Sequence, residues 1–308
     1  MSPLREALAG YLSVRRALGF RLDRAEKLIG QFLDYLEERQ AAVITTDHVV
    51  AWATAPGGAS WWHALRVSAV RPFASWLHSL DRVHEVPPAG LIPHGPHRAV
   101  PYLYSAAETG ALVTAAGRRH RPASAATYPA LIGLLASTGA RVGELLALDD
   151  GDFDADGGVL TVRNGKSGKQ RLLPLHPTAT EALVRYQQER DRLVPARPGD
   201  ALLASCDGTR LDHSRVSKAF RCIAADAGIT ARSAACRPRI HDLRHSFAVS
   251  SLLDWYRRGD DVQAMLPRLA TYLGHADPRH TYWYLSAAPE LLALAAERLE
   301  NHHPGGNA

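Results

Sequence analysis

Six side chains suited to one kind of chemistry follow each other down the second half of the chain: Arg141, Lys166, His241, Arg244, His275 and Tyr284. A guanidinium stays charged and grips a phosphate through two parallel hydrogen bonds. A lysine can carry a mobile proton, an imidazole can accept one near neutrality, and a phenol becomes a nucleophile once deprotonated. Attack on a phosphodiester has three requirements. Charge must be stabilised on the non-bridging oxygens, the nucleophile must lose a proton, and the leaving oxygen must gain one. Taken singly, each arginine is most simply a solvated or salt-bridged side chain, because short motifs match by chance. The joint set points to phosphoryl transfer.

Local signals predict the elements that hold these residues. A buried helix is expected from Tyr128 to about Ser137, and Arg141 follows the glycine turn of Thr138-Gly139-Ala140-Arg141 at the start of the next helix. Glu144 can pair with Arg141 and fix its orientation. Val159 to Val162 and Gln170 to Leu175 read as two strands joined by Asn164-Gly165-Lys166-Ser167-Gly168. A further strand is expected at Ala201 to Ala204. Pro238 marks a helix start that puts His241 in the first turn and Arg244 on the same face; the helix N-terminus disfavours imidazolium, so His241 can be a neutral proton acceptor. His245 reads as a core histidine. Tyr282 and Tyr284, two apart on a helix, point to different sides, and Tyr282, Tyr272 and Tyr256 read as packing residues.

The first ninety residues read as four helices. Leu4, Leu8, Leu12 and Leu18 share a face closed by Gly19, and Leu28, Ile29, Phe32, Leu33 and Leu36 form a second stripe. Thr46-Asp47 caps a third helix. The fourth, Ser60 to Leu80, offers Trp62, Leu65, Ala69, Phe73, Trp76 and Leu80 to the core, with Pro72 expected to kink it. Four short helices with a basic surface could form a small DNA-gripping domain, and in that case Arg66 and Arg71 are the best contacts, ahead of Arg15, Arg16 and Lys27. Pro87, Pro88, Pro93, Pro96 and Pro101 make the next stretch extended and stiff, so a domain boundary is placed there. Ser105-Ala106-Ala107-Glu108 is a capping box that opens the second domain. There is no internal repeat.

At 308 residues, 46% hydrophobic and 22% charged, the chain has the composition of a globular protein with room for two cores. Its first residues lack an apolar run behind positive charge, and its longest apolar stretch is too short for a bilayer, so a cytoplasmic protein is expected, with no membrane partner, and a nucleoid-associated one if its partner is DNA. The net charge of +5 and pI near 9.2 favour a polyanionic partner. Cys206, Cys222 and Cys236 are odd in number and lack metal-ligand spacing. His94-Gly95-Pro96-His97 reads as linker.

The wrappings Thr138-Gly139-Ala140-Arg141-Val142-Gly143-Glu144-Leu145, His241-Asp242-Leu243-Arg244-His245 and Leu273-Gly274-His275, with Tyr284 nine positions on, resemble the tyrosine recombinase (phage integrase) family. The resemblance runs over nearly the whole chain and is strongest from about Ser105 to Tyr284. It implies a mainly α fold with a small antiparallel sheet, built as a two-domain clamp. The helical core-binding domain would span 1–84, a linker 85–101, a mixed α/β catalytic domain 102–287 and a C-terminal tail helix 288–308. It implies that Arg141 and Arg244 clamp the phosphate, Lys166 protonates the departing 5′-hydroxyl, and His275 hydrogen-bonds the phosphate. Tyr284 would form a 3′-phosphotyrosyl link that needs no metal, cofactor or ATP. Lys169 and Arg171 are expected to grip the DNA backbone. The partners implied are double-stranded DNA and a homo-tetramer on paired sites, or a set of related recombinases. The long stretch from Asp254 to Leu273 is similar to transposon-associated members. The amphipathic helix from Ala288 to Glu300 could dock on its own domain or on a neighbouring protomer. Two rivals are a type IB topoisomerase, which needs no paired sites, and a non-catalytic DNA-binding accessory, which has no use for Tyr284.

Overall fold

Leu28, Ile29, Phe32, Leu33 and Leu36 recur at helical spacing, and all five are buried in the core of the first unit. The computed structural model describes residues 2–20, 22–93, 100–163 and 170–275, and the chain divides into two units, 1–98 and 99–308. The first contains α1 (Pro3–Ala17), α2 (Asp23–Glu38), α3 (Thr46–Thr54) and α4 (Ser60–Leu80). Helix α4 packs against the other three. The cap of α3 is Thr45, one residue before the expected pair, accepting from the His48 amide at 3.2 Å. Leu18 and Leu80, assigned to core faces by periodicity, are 67% and 66% exposed. The segment after α4 has neither helix nor strand over 82–93. Its start is tied to the first unit: the Ile44 amide donates to His84 Nδ1 at 3.2 Å, and the Glu85 amide to the Ile44 carbonyl at 2.8 Å.

The second unit contains α5 (Ala106–Gly117), α6 (Pro122–Thr138), α7 (Val142–Leu146), α8 (Pro177–Leu193), α9 (His213–Asp226), α10 (Asp242–Arg258) and α11 (Val262–Leu273). The Ser105–Glu108 capping box opens α5. Helix α6 is central, touching α5, α7, α8 and α10, and Leu131, Ile132, Leu134 and Leu135 on it are buried. Each such side chain contributes roughly 1.5–3 kcal/mol on burial. A three-stranded antiparallel sheet runs β1 (Phe153–Asp154), β2 (Val159–Val162), β3 (Arg171–Pro174), in that order. Leu160 pairs with Leu173 and Val162 with Arg171. The 201–204 stretch forms isolated bridges, Asp149 to Ala201 and Ala204 to Arg210. No helix among the described residues is long and apolar enough to cross a membrane.

Candidate active site

Two glycines end the helices that frame the site. Gly139 closes α6 at φ +59°, and a Cβ there would lie 2.4 Å from Phe247 Cδ1. The chain then turns so that Arg141 is the residue before α7. Gly274 closes α11 at φ +66°, with its amide bonded to the Thr271 carbonyl and the His275 amide to the Ala270 carbonyl, both at 2.9 Å. This paired stop delivers His275 just beyond the helix end.

Arg244 is 2% exposed on α10. Its Nη1 donates to the Gly139 carbonyl and its Nη2 to the Leu273 carbonyl, both at 2.7 Å. These carbonyls belong to the C-terminal ends of α6 and α11, where the helix dipole leaves partial negative charge. Arg244 Nη2 also lies 2.9 Å from His275 Nε2. A guanidinium has no lone pair to offer, so Nε2 is the acceptor in that contact. Arg141 reaches the same helix end, Nη2 donating to the Gly274 carbonyl at 2.8 Å, while its Nη1 donates to Glu144 Oε1 at 2.7 Å.

Glu144, 6% exposed, holds two arginines. It accepts from the Arg141 backbone amide at 2.9 Å and from Arg171 Nη1 and Nη2 at 3.0 and 2.7 Å. Burial alone would raise its pKa, but the hydrogen bonds from Arg171 and Arg141 prevail and hold it down at about 2. Arg171 Nε donates to the Tyr272 carbonyl at 2.9 Å.

His241 precedes α10 and is exposed at the mouth of this cluster. Its pKa is lowered to about 4, first by the atoms crowding the ring, then by the charges of Arg244, Arg239 and Arg141. The repulsion by those guanidiniums acts in the free protein; the desolvation of so open a ring becomes complete only when something covers it. The ring of His245 meets it edge-on, with centroids 5.2 Å apart. Behind it Asp242 is fully buried, which raises its pKa despite the Arg239 fork at 2.7 and 3.0 Å. Ser246 Oγ donates to the Asp242 carbonyl at 2.9 Å and accepts from the Tyr104 amide at 2.8 Å, fixing the first turn of α10. Four guanidiniums, of Arg141, Arg171, Arg239 and Arg244, thus face two carboxylates, and such a pocket attracts an anion. Among the described residues no group of three or more His, Cys, Asp or Glu is arranged to hold a metal.

The profile of the Phage integrase family matches residues 103–290. The chain is 37% identical to a protein named integrase/recombinase y4rB of Sinorhizobium fredii (strain NBRC 101917 / NGR234), over 97% of this chain and 98% of that one. It belongs to the phage integrase family, the tyrosine recombinases. It is also 29% identical to the tyrosine recombinase XerD of Brucella abortus, over 91% of this chain and 87% of that one. Among solved structures it is similar in fold to the Tn1549 transposon integrase in complex with a circular intermediate DNA (TM-score 0.64, 16% identity, 97% and 100% coverage). The fold also matches a λ integrase dimer bound to a core site (TM-score 0.60, 20% identity, 91% and 94% coverage).

In this tyrosine recombinase, Arg141, His241, Arg244 and His275 stand together; Lys166, Lys169 and Tyr284, with the helix expected at 288–300, lie outside the described residues. Arg171, expected on the DNA backbone, instead directs its guanidinium to Glu144 and the Tyr272 carbonyl. It is two residues from Leu173, which is 0% exposed, so strand alternation turns both inward, whereas Leu172 is 61% exposed. Arg66 is also corrected. It is 7% exposed, lies 3.8 Å above the Trp52 ring and donates to the Trp52 carbonyl at 2.9 Å. The core face of α4 runs through Ala64, Val67, Val70, Phe73, Ala74 and Leu77, one step round from the expected stripe, while Trp62 and Trp76 are only partly buried. Arg71 is exposed, with Nε donating to the Pro87 carbonyl at 2.9 Å. Sequence reasoning missed the face of α9, where Arg215, Lys218 and Arg221 are exposed. Helix α9 begins at His213, close enough to bear on the ionisation of His241. The signal was there: three cations at i, i+3 and i+6 with no acid before Asp226.

Proposed function

We propose that this chain cuts and rejoins double-stranded DNA at specific sites through a 3′-phosphotyrosyl intermediate. Arg141 and Arg244 clamp the scissile phosphate and His275 adds a hydrogen bond to it. His241, neutral at physiological pH, accepts the phenolic proton as the Tyr284 oxygen attacks phosphorus. The bond from phosphorus to the 5′-oxygen breaks and Lys166 supplies the proton that oxygen needs. Resealing reverses these steps, the 5′-hydroxyl displacing tyrosine, and the phosphotyrosyl bond conserves the energy of the broken linkage without ATP.

One observation carries this reading. Two guanidiniums and His275 converge on a single helix end, Arg244 on the Leu273 carbonyl and Arg141 on the Gly274 carbonyl, in a chain of the tyrosine recombinase family. We assign 1–84 as the DNA-binding domain, 85–101 as linker, 102–287 as the catalytic domain and 288–308 as a tail helix. The exposed cations of α9 and Arg71 contact the DNA. We further propose assembly as a tetramer on paired sites; a λ integrase tetramer bound to a Holliday junction, similar in fold at TM-score 0.59, supports it. The Tn1549 integrase likeness supports a role in mobile-element transfer.

The test uses nicked suicide duplexes tiled across the DNA flanking the gene, with wild type and Tyr284→Phe, resolved on denaturing gels. A covalent protein–DNA band that disappears in the variant is expected. A band that persists in Tyr284→Phe moves the nucleophile elsewhere, and tight binding with no band from either protein makes the chain an accessory.

A further inference from the structure

We propose that Tyr104 is a positioning residue for strand cleavage, holding both ends of the turn that presents His241. The inference rests on the reading of His241 as the proton acceptor. Residues 239–242 form that turn, closed by the Asp242 amide donating to the Arg239 carbonyl at 3.0 Å. The Tyr104 hydroxyl donates to the same Arg239 carbonyl at 3.1 Å, and so meets the turn's first residue. The Tyr104 amide donates to Ser246 Oγ at 2.8 Å, and that hydroxyl donates to the carbonyl of Asp242, the turn's last residue, at 2.9 Å. His241 lies between the two anchors. Its exposed ring is met edge-on by His245, so the backbone beneath it sets much of its direction.

Tyr104 can act as an anchor because it is itself fixed. It is 6% exposed in the core of the second unit, with its ring 4.8 Å from that of Tyr102 and 6.2 Å, edge-on, from that of Phe220 on α9. The residues before it are tied to the segment that leads to His241. Cys236 Sγ donates to the Pro101 carbonyl at 3.7 Å, Arg232 Nη2 to the Leu103 carbonyl at 3.0 Å, and the Tyr102 amide bonds the Asp242 carboxylate. Burial raises the Tyr104 pKa, and the Asp242 charge adds to it, so the phenol keeps the proton that it donates. Removing that hydroxyl leaves the ring packing in place and the Arg239 carbonyl still paired with the Asp242 amide. The loss therefore falls on the aim of the turn rather than on the core.

A double-variant comparison separates the aiming of His241 from a general structural role. Single-turnover cleavage of the suicide duplex at saturating protein is measured for wild type, Tyr104→Phe, Ser246→Ala and His241→Ala. The doubles Tyr104→Phe/His241→Ala and Ser246→Ala/His241→Ala complete the set. A general base contributes roughly 100- to 10,000-fold. A small displacement forfeits part of that, so Tyr104→Phe is expected to slow cleavage about 10-fold. In the His241→Ala background the same substitution should have no further effect, because no imidazole remains to be aimed. Ser246→Ala should behave alike, and it carries the comparison if Tyr104→Phe does not fold. Equal loss in both backgrounds, or no loss in either, overturns the proposal, while slowing by His241→Ala leaves the proton-acceptor reading standing. Cleavage by His241→Ala at the wild-type rate removes that reading and this inference with it.

Discussion

Replacing Glu144 by glutamine should destabilise the second unit by about 3 kcal/mol at neutral pH, and the deficit should vanish in acid. Two routes give that figure. The carboxylate is held at about 2 against an ordinary 4.5; each pKa unit is about 1.4 kcal/mol, so its ionised form contributes roughly 3 kcal/mol to folding. Independently, removing one partner from a buried ion pair costs about 3–5 kcal/mol, because the remaining charge stays buried and unmatched. Here glutamine would leave Arg141 and Arg171 converging on a neutral amide whose NH2 end turns a donor toward them.

The sign of the pH effect follows from the depressed pKa. Stability from Glu144 is fully present above 4.5 and is lost as pH falls through the folded value near 2. Urea unfolding of wild type and Glu144→Gln is compared at pH 7, 4.5, 3 and 2.5, with hydrogen exchange of β2 and β3 amides reporting the second unit alone. The gap between the proteins should be widest at pH 7 and should narrow steadily below 4.5, since protonated glutamate resembles glutamine. Other carboxylates titrate in both proteins and cancel. A gap below about 1 kcal/mol at pH 7, or one unchanged at pH 2.5, refutes the claim that this carboxylate organises the arginines.

Four further outcomes follow from the same geometry. Gly274→Ala should cost about 1–2 kcal/mol for a left-handed residue with a Cβ, and should slow single-turnover cleavage because the new methyl meets Arg171; an unchanged rate rejects the steric account. Arg66→Ala should lower stability by about 1–3 kcal/mol, as a buried hydrogen-bonded side chain does, without changing the salt dependence of DNA binding. Arg71→Glu, or alanine at Arg215, Lys218 and Arg221 together, should weaken binding and flatten the salt slope by about 0.9 for each phosphate that is no longer neutralised; filter-binding titrations in rising salt distinguish the two classes. His241 is held below its ordinary 6.5 by the neighbouring guanidiniums and partial burial, so it charges less readily in the fold than when unfolded, and the stability it confers is present above 6.5 and lost as pH falls below that value. His241→Gln should therefore lose less stability than wild type over that interval, and equal losses in a urea series contradict it.

The fold was legible where one periodicity dominated. Five apolar positions of α2, the capping box of α5 and the four residues of β2 were all readable from spacing, because each is settled by interactions within a few residues. Helix α4 was not, because Trp62 and Trp76 suggested a core face, yet both are only partly buried while Arg66 lies beneath the surface on Trp52. Tertiary packing rotated the stripe by one step and took an arginine inside with it. The site shows the same boundary. Residue types and order bring Arg141, His241, Arg244 and His275 to notice, but no local pattern says what Arg171 meets, since its partners Glu144 and Tyr272 are 27 and 101 positions away. Strand alternation with Leu173 could have indicated the direction; only the fold supplies the partner.

The way these cations are held has a consequence for catalysis. Arg171 shares the Glu144 carboxylate with Arg141, which offsets part of its charge and fixes its geometry. The hydrogen bonds that Arg244 makes to Gly139 and Leu273, and that Arg141 makes to Gly274, run instead to carbonyls at helix ends. A carbonyl dipole orients a guanidinium without neutralising it, whereas the Arg141 contact to Glu144 Oε1 at 2.7 Å offsets part of that residue's charge. The guanidiniums of Arg244, Arg239 and Arg141, together with burial of the ring, push His241 toward its neutral form, the form able to accept a proton. Placing a carboxylate at any of those carbonyl positions would fix the arginines equally well and undo both effects at once, lowering affinity for the phosphate and raising the histidine pKa together. Glycine turns at 139 and 274, which expose helix-end carbonyls where a side chain would crowd Phe247 or Arg171, are therefore as much a part of the chemistry as the charged residues they serve.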